Sequence, residues 1–251
     1  MRTALLADIH ANLQALTAVL VDVRDCGIEA FACLGDIVGY GADPGSCLEL
    51  VRALDCPCVM GNHDHYTTID SPKMDELMTS SGINDEPVWS AIKLAREQLT
   101  GEQLAWLRSR EPVSAIDRAL IAHAALHDWG SWPYLRSSEE AQATLAILGD
   151  KVGFFGHTHR ENVFVPEGGA APEKLVAEQR LFRLPEGTVA ITVGSVGQPR
   201  DGDSRARWAL WDPDARTVEF RRVKYDVEAA GQAILAAGLS PTNAIRLFPP
   251  A

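Results

Sequence analysis

The sequence predicts an α/β fold, and three observations carry that expectation. The chain opens with a strand–helix–strand rhythm, apolar runs of four to six residues repeatedly end in polar groups, and the periodicity changes to two beyond about residue 160. With 251 residues, 46% of them hydrophobic and 23% charged, the chain can bury a substantial core. No repeat, low-complexity tract or linker interrupts it, so a single domain over 1–251 is expected.

In chain order, the first strand is the apolar run that includes Leu5 and Leu6 and ends in Asp8 and His10. If the strand persists through His10, its period of two points both side chains to one face. Taken alone, the pair proves nothing, since an isolated D-x-H is more often a helix N-cap Asp beside a loop histidine. Residues 11–25 carry Leu13, Leu16, Val19, Leu20 and Val23 at helical spacing, with Gly27 as the stop. A second strand, 30–34, runs into Gly35-Asp36-Ile37-Val38-Gly39-Tyr40-Gly41, where glycine permits a left-handed backbone. Pro44 opens a helix to about 53, and a third strand, 57–60, ends in Gly61-Asn62-His63-Asp64. Residues 66–110 are polar and helical, with Thr100-x-x-Gln103 as a capping box, and form an insertion over the site too small for its own core.

The core resumes over 118–123, ending at His123. Ser137-x-x-Glu140 starts a helix to 148, and the strand 151–155 ends in Gly156-His157-Thr158-His159. Alternating strands follow at 162–165, 189–193, 206–211 and 217–223, the last two joined as a hairpin by Asp212-Pro213-Asp214-Ala215. A helix spans 227–237, and the tail 241–251 is expected to be irregular.

The formal charge of −11 opposes binding to long nucleic acids, whose affinity comes from Lys and Arg at phosphates. No run of 18 apolar residues indicates a membrane span, and the N-terminus lacks a signal-peptide pattern. Five cysteines, Cys26, Cys33, Cys47, Cys56 and Cys58, are odd in number and clustered early, which reads as structural thiols in a reducing compartment. A cytoplasmic location follows. A homo-oligomer is left open.

Five strand ends thus carry Asp8 with His10, Asp36, Asn62 with His63, His123, and His157 with His159, which places five of the seven histidines there. Ligands of open α/β sheets collect at the carboxyl ends of strands, so these groups can converge although they span 150 residues. Two carboxylates, a neutral amide oxygen and several imidazoles suit a pair of divalent ions of manganese, iron or zinc, with manganese favoured. Asp36 can bridge the two ions through its two oxygens. Such a pair holds a hydroxide and clamps the attacking and leaving oxygens of an in-line displacement at phosphorus, which is phosphoester hydrolysis.

Asp8-x-His10, Gly35-Asp36-x-Val38-Gly39-Tyr40-Gly41, Gly61-Asn62-His63-Asp64, His123 and Gly156-His157-x-His159 together resemble the calcineurin-like metallophosphoesterases, in order and in spacing, over about residues 2–224. The resemblance implies a four-layer α-β-β-α sandwich of two mixed sheets with a dinuclear site at the sheet ends. It implies one metal held by Asp8, His10, Asp36 and His159, and another by Asp36, Asn62, His123 and His157. His63 is then not a ligand but faces the leaving group as general acid. Gly39 and Tyr40 stand where protein phosphatases and symmetrical dinucleoside tetraphosphatases carry an Asp-Arg pair. The Gly-Tyr-Gly version resembles the small bacterial phosphodiesterase branch, which includes proteins similar to an asymmetrical diadenosine tetraphosphate hydrolase. Ala124 and Thr192-Val193 are further departures, and neither removes a ligand.

The glycine-rich loop Gly194-Ser195-Val196-Gly197-Gln198-Pro199-Arg200 can approach the site, with Arg200, Ser195 and Tyr40 as substrate contacts. His65 and His127 are assigned at most a lining role, while Trp129, Trp132 and Tyr134 either stack on a base or pack the rim. The expected activity is metal-dependent hydrolysis of small phosphodiesters or related phosphoesters. Asymmetrical diadenosine tetraphosphate hydrolysis is the alternative enzyme, and a binding scaffold on the same fold the non-enzymatic one.

Overall fold

Strand β1, Thr3–Leu6, is buried at every position because both of its faces are covered. Leu5 faces a second sheet, while Ala4 and Leu6 face helices. The structure, a computed structural model, describes residues 1–69, 86–166 and 179–248. The 70–85 part of the expected insertion and the 249–251 end of the expected tail lie outside the described residues.

Two mixed five-stranded sheets form the centre. In the first, β1 pairs in parallel with β2 (Ala30–Cys33) and antiparallel with β9 (Ala206–Asp212), which continues to β10 (Thr217–Val223) and β7 (Gln179–Arg183). The second has the order β3 (Val113–Ile116), β4 (Ala119–Ala122), β5 (Val152–Phe155), β8 (Val189–Val193), β6 (Glu161–Phe164), with β4, β5 and β8 parallel to one another. Leu5, Leu34, Ile121, Phe154, Ile191 and Trp211 meet between the sheets in one core. Helices α1 (Leu13–Asp25) and α2 (Pro44–Ala53) cover the outer face of the first sheet through Leu16, Val19 and Leu48. Helix α6 (Ser138–Leu148) covers the second through Leu145 and Leu148. This is the expected α-β-β-α layering, and the apolar residues on both faces of β9 explain it: Trp208 and Leu210 point to the helices, Ala209 and Trp211 to the other sheet.

Four local expectations change. The strand at 57–60 is reduced to isolated bridges, Cys33 to Cys58 and Val59 to Glu111, because the segment extends the edge of β2 for only two backbone hydrogen bonds. Strands β3 and β7 carry no clear apolar alternation in sequence and were not expected. The tail is partly ordered: after α7 (Val227–Ala236), Pro241 starts a short helix α8 (Pro241–Ile245), and Ala244 and Leu247 pack against Ala230 and Ile234 of α7. Between α3 (Asn62–Thr68) and β3 lie α4 (Glu86–Gln98) and α5 (Gly101–Arg108), and Ala91 of α4 joins the α7–α8 cluster. Finally, β1 stops at Leu6, so strand alternation does not aim Asp8 and His10.

Candidate metal centre

What aims them is a left-handed backbone. Asp8, His10, Asp36, His157 and His159 have φ of 52°, 50°, 54°, 65° and 56°, conformations that L-residues rarely adopt. They are held there by a continuation of the sheet contacts into the loops. Asp8, His10 and Ala11 donate their backbone N–H groups to Gly35, Asp36 and Ile37 at 3.1, 2.9 and 2.8 Å, which lays the loop after β1 along the loop after β2. On the other side, the N–H groups of Val196 and Gly197 reach the carbonyls of Ala7 and Asp8, both at 2.9 Å. Gly197 is required there, since a Cβ would overlap the Ile9 carbonyl oxygen. His157 donates its backbone N–H to Asp8 Oδ1 at 3.0 Å, joining the second sheet to the first.

Asp64 anchors the loop after β2 from below. Its buried carboxylate accepts the N–H groups of Asp36 (2.8 Å) and Gly61 (3.1 Å) on one oxygen and those of Ile37 (2.9 Å) and Val38 (3.3 Å) on the other. The sequence places Asp64 in a motif without indicating this role, because its partners are main-chain groups of a distant loop.

Four imidazoles are oriented alike. Nδ1–H of His10 points at Val38 O (3.1 Å), of His123 at Leu34 O (2.8 Å) and of His159 at Gln198 O (2.6 Å), while His157 points Nε2–H at Trp132 O (3.0 Å). Carbonyls only accept, so each bond fixes a tautomer and leaves the other ring nitrogen as a lone-pair donor for a metal. Those lone pairs converge: His10 Nε2 lies 3.1 Å from His159 Nε2 and 3.6 Å from Asp36 Oδ2, and His123 Nε2 lies 3.3 Å from the same oxygen and 3.0 Å from Asn62 Oδ1. Asp8 Oδ1 lies 3.6 Å from His159 Nε2. Asp36 Oδ1 is committed to the N–H of His63 at 2.8 Å, so the oxygen facing both His10 and His123 is Oδ2 alone, not two oxygens divided between two ions.

Such a cluster of acceptors calls for cations. Two imidazole lone pairs 3.1 Å apart repel, and the buried Asp8 Oδ2 has no hydrogen-bond partner. Burial pushes Asp8 up to about 7 and drives His10 and His159 well down and His157 down to about 3, so these imidazoles are neutral bases. His123 departs: burial works against its charged form, but the Asp36 carboxylate, its hydrogen bond and Asp8 prevail and raise it to about 9. A proton on His123 takes the place a metal would claim. Asp8, His10 and His159, and Asp36, His123 and His157, each bring ligand atoms within 4.8 Å of one another. The donors fit divalent ions, with Asp8, His10, Asp36 and His159 able to hold one and Asp36, Asn62, His123 and His157 another.

A cavity of about 270 Å³ lies over this cluster. Its floor includes Asp36, Asn62, His63, His157 and His159, and its walls are Tyr40, Arg200 and the aromatic residues Tyr66, Trp89, Trp132 and Tyr134. His63 packs its ring 4.8 Å from His10 and 4.6 Å from Tyr40. A Cβ on Gly39, whose φ is 89°, would overlap the His63 ring, so the Gly39-Tyr40 pair is what seats this histidine. Tyr134 stacks on His157 at 4.0 Å and 11°, and Trp132 is buried, while Trp129 is half exposed. Arg200 and Tyr40 do line the cavity. Ser195 does not: it is fully buried, donating to Asp8 O and accepting from Gln198 N, both at 2.8 Å, so it braces the loop rather than meeting a substrate. His127 lies away from the cavity beside Thr144, and His65 packs against Tyr66 and Trp132 with ring centroids 5.9 Å from each.

Fold and site together define a phosphoester hydrolase of the metal-dependent kind. The chain belongs to the calcineurin-like phosphoesterase superfamily, whose domain model matches residues 1–215. It is similar to the crystal structure of a metallophosphoesterase from Sphaerobacter thermophilus, with 32% identity, 98% of each chain covered and a TM-score of 0.84. An uncharacterized protein of Methanocaldococcus jannaschii is 34% identical over 249 residues, 98% of this chain and 96% of that one. A hypothetical protein from Pyrococcus horikoshii OT3 shares the fold at 19% identity and a TM-score of 0.81, over 99% of this chain and 98% of its own. Among the described residues no helix is long and apolar enough to cross a membrane.

Proposed function

We propose that the protein hydrolyses small phosphodiesters with two divalent transition-metal ions, manganese favoured, in a reducing cytoplasmic compartment. The observation that carries this reading is Asp36 Oδ2, which faces His10 on one side and His123 on the other within 3.6 and 3.3 Å. One oxygen between two imidazole groups is the arrangement of a bridging ligand. Paired divalent ions activate water and neutralise the oxygens of a phosphoryl group. Oxygen and imidazole donors without a thiolate suit manganese, and all five cysteines are unpaired, as a reducing compartment requires.

The protein's own groups supply the remaining chemistry. His63, on the cavity floor beside the ligand Asn62, protonates the leaving oxygen, while Gly39 and Tyr40 fix its ring. Arg200 is the arginine that lines this cavity among the described residues, with Nη2 directed to Gln198 Oε1 at 3.0 Å and to the Tyr40 hydroxyl at 3.4 Å. One partly engaged guanidinium suits a diester phosphate, which carries one charge fewer than a monoester. The aromatic wall of Trp89, Trp132 and Tyr134 supports a second reading, hydrolysis of a dinucleotide such as diadenosine tetraphosphate, because its faces suit a base.

Elemental analysis and a substrate panel test the proposal together. Two metal ions per chain are expected, with bis-p-nitrophenyl phosphate hydrolysed at higher kcat/KM than p-nitrophenyl phosphate in manganese, and phosphoserine peptides hardly at all. Full activity at one ion per chain overturns the paired-metal centre. Release of ATP and AMP from diadenosine tetraphosphate far faster than any diester replaces the first reading by the second. No turnover with any metal leaves a binding scaffold.

A further inference from the structure

Beyond the metal centre a second cavity of about 510 Å³ opens on the far side of Tyr40. It shares Tyr40, Tyr134 and Arg200 with the first, and adds Gln198, Arg246 and Phe248. The Tyr40 ring is the partition. On its inner side lie His10 at 4.7 Å and His63 at 4.6 Å; the guanidinium carbons of Arg200 and Arg246 lie 5.8 and 5.7 Å from its centre. Arg246 is therefore two ring contacts from His10, a candidate metal ligand, although it comes from far along the chain, just after α8.

The lining of this cavity presents donors. Beside the two guanidiniums, Gln198 is buried; its Oε1 accepts from Arg200 at 3.0 Å, and its amide Nε2 has no hydrogen-bond partner. Asp203 is the acid in the lining, and its charge is already met by Arg205 at 2.6 Å and Arg222 at 2.9 Å. Two guanidiniums and an unpartnered amide donor on residues of one cavity lining suit a phosphate, to which guanidinium binds through paired hydrogen bonds.

We infer that Arg246, Arg200 and Gln198 form an anion subsite that holds a second phosphoryl group of the substrate while the first lies over the metal centre. The natural substrate is then a phosphoester whose non-reacting portion carries at least one further phosphate, as in a nucleoside polyphosphate ester. The inference rests on the phosphoesterase reading and selects among its substrates.

Two p-nitrophenyl esters test it at equal free manganese: that of thymidine 5′-monophosphate, and the γ-ester of thymidine 5′-triphosphate. Both have a doubly substituted phosphorus and the same leaving group, and only the second carries further phosphates. The intact protein should prefer the triphosphate ester in kcat/KM by roughly 10-fold, the value of one charge-assisted contact. Arg246→Gln, at an exposed position, should lower kcat/KM for the triphosphate ester at least five times more than for the monophosphate ester, and Arg246→Lys should recover part of the difference. Equal losses on the two esters, or no preference in the intact protein, overturn the subsite. A second measurement is independent of turnover: calorimetric binding of tripolyphosphate to the metal-free protein should weaken at least five-fold in Arg246→Gln. If neither ester is hydrolysed but this weakening is seen, the hydrolase reading falls and the subsite stands; an unchanged dissociation constant, or no binding in the millimolar range, removes the subsite.

Discussion

Replacing Asp64 by asparagine changes one oxygen for an amide in a place where four N–H groups converge. The carboxylate accepts two of them on each oxygen, at 2.8 and 3.1 Å and at 2.9 and 3.3 Å, and it is fully buried. An asparagine oxygen can keep one pair; its NH₂ then faces the other pair donor to donor. Two buried backbone N–H groups left unsatisfied cost about 1–3 kcal/mol each, and relief of repulsion between Asp64 and the nearby Asp36 carboxylate offsets part of it. The expected net loss for Asp64→Asn is about 2–4 kcal/mol, read by urea unfolding of the metal-free protein. Because the same N–H groups hold Asp36 at its positive φ, metal content after dialysis should fall as well. A stability change below about 0.5 kcal/mol together with unaltered metal content would show that the loop after β2 does not depend on this anchor.

Two further outcomes follow from the site geometry. His63→Ala should lower kcat by roughly 10²- to 10⁴-fold with metal content unchanged, measured on a diester with a poor leaving group; concurrent loss of metal would recast His63 as a ligand. Metal uptake by the apoprotein should strengthen as pH rises from 6 to 9. Asp8, raised to about 7 by burial, and His123, raised to about 9 by Asp36 against its burial, must both lose a proton before they can bind, so affinity gains up to about ten-fold per pH unit for each proton displaced. A titration in which the dissociation constant is flat across that range would refute the assignment of both groups.

Much of the candidate site was legible in the sequence because each candidate ligand follows a short apolar segment, and parallel strands bring their carboxyl ends together. The mutual placement of Asp8, Asp36, Asn62, His123, His157 and His159 follows from that rule. The means by which they meet was not legible. Strand alternation seemed sufficient to pair Asp8 with His10, yet the strand ends at Leu6 and a left-handed turn does the aiming. The carbonyls of Val38, Leu34, Gln198 and Trp132 that set the imidazole tautomers leave no trace in side-chain identity, since any residue supplies a carbonyl. Ser195 reads as a substrate contact on a glycine-rich loop, but its small hydroxyl is the group that fits between Asp8 O and Gln198 N. Arg246 lies in a tail expected to be irregular, and only the packing of Ala244 and Leu247 on α7 brings it to Tyr40.

The left-handed backbone at Asp8, His10, Asp36, His157 and His159 has a consequence for which ion the protein keeps. Each such conformation is costly for an L-residue, by roughly 1–2 kcal/mol, and is held by hydrogen bonds between the loops. The candidate ligands therefore sit on backbone whose spacing the two sheets set. An ion of ill-matched radius has to stretch main-chain bonds that the sheets hold in place. For the proposed centre, discrimination among divalent ions is then expected to act through size, with exchange passing through the 270 Å³ opening above the cluster.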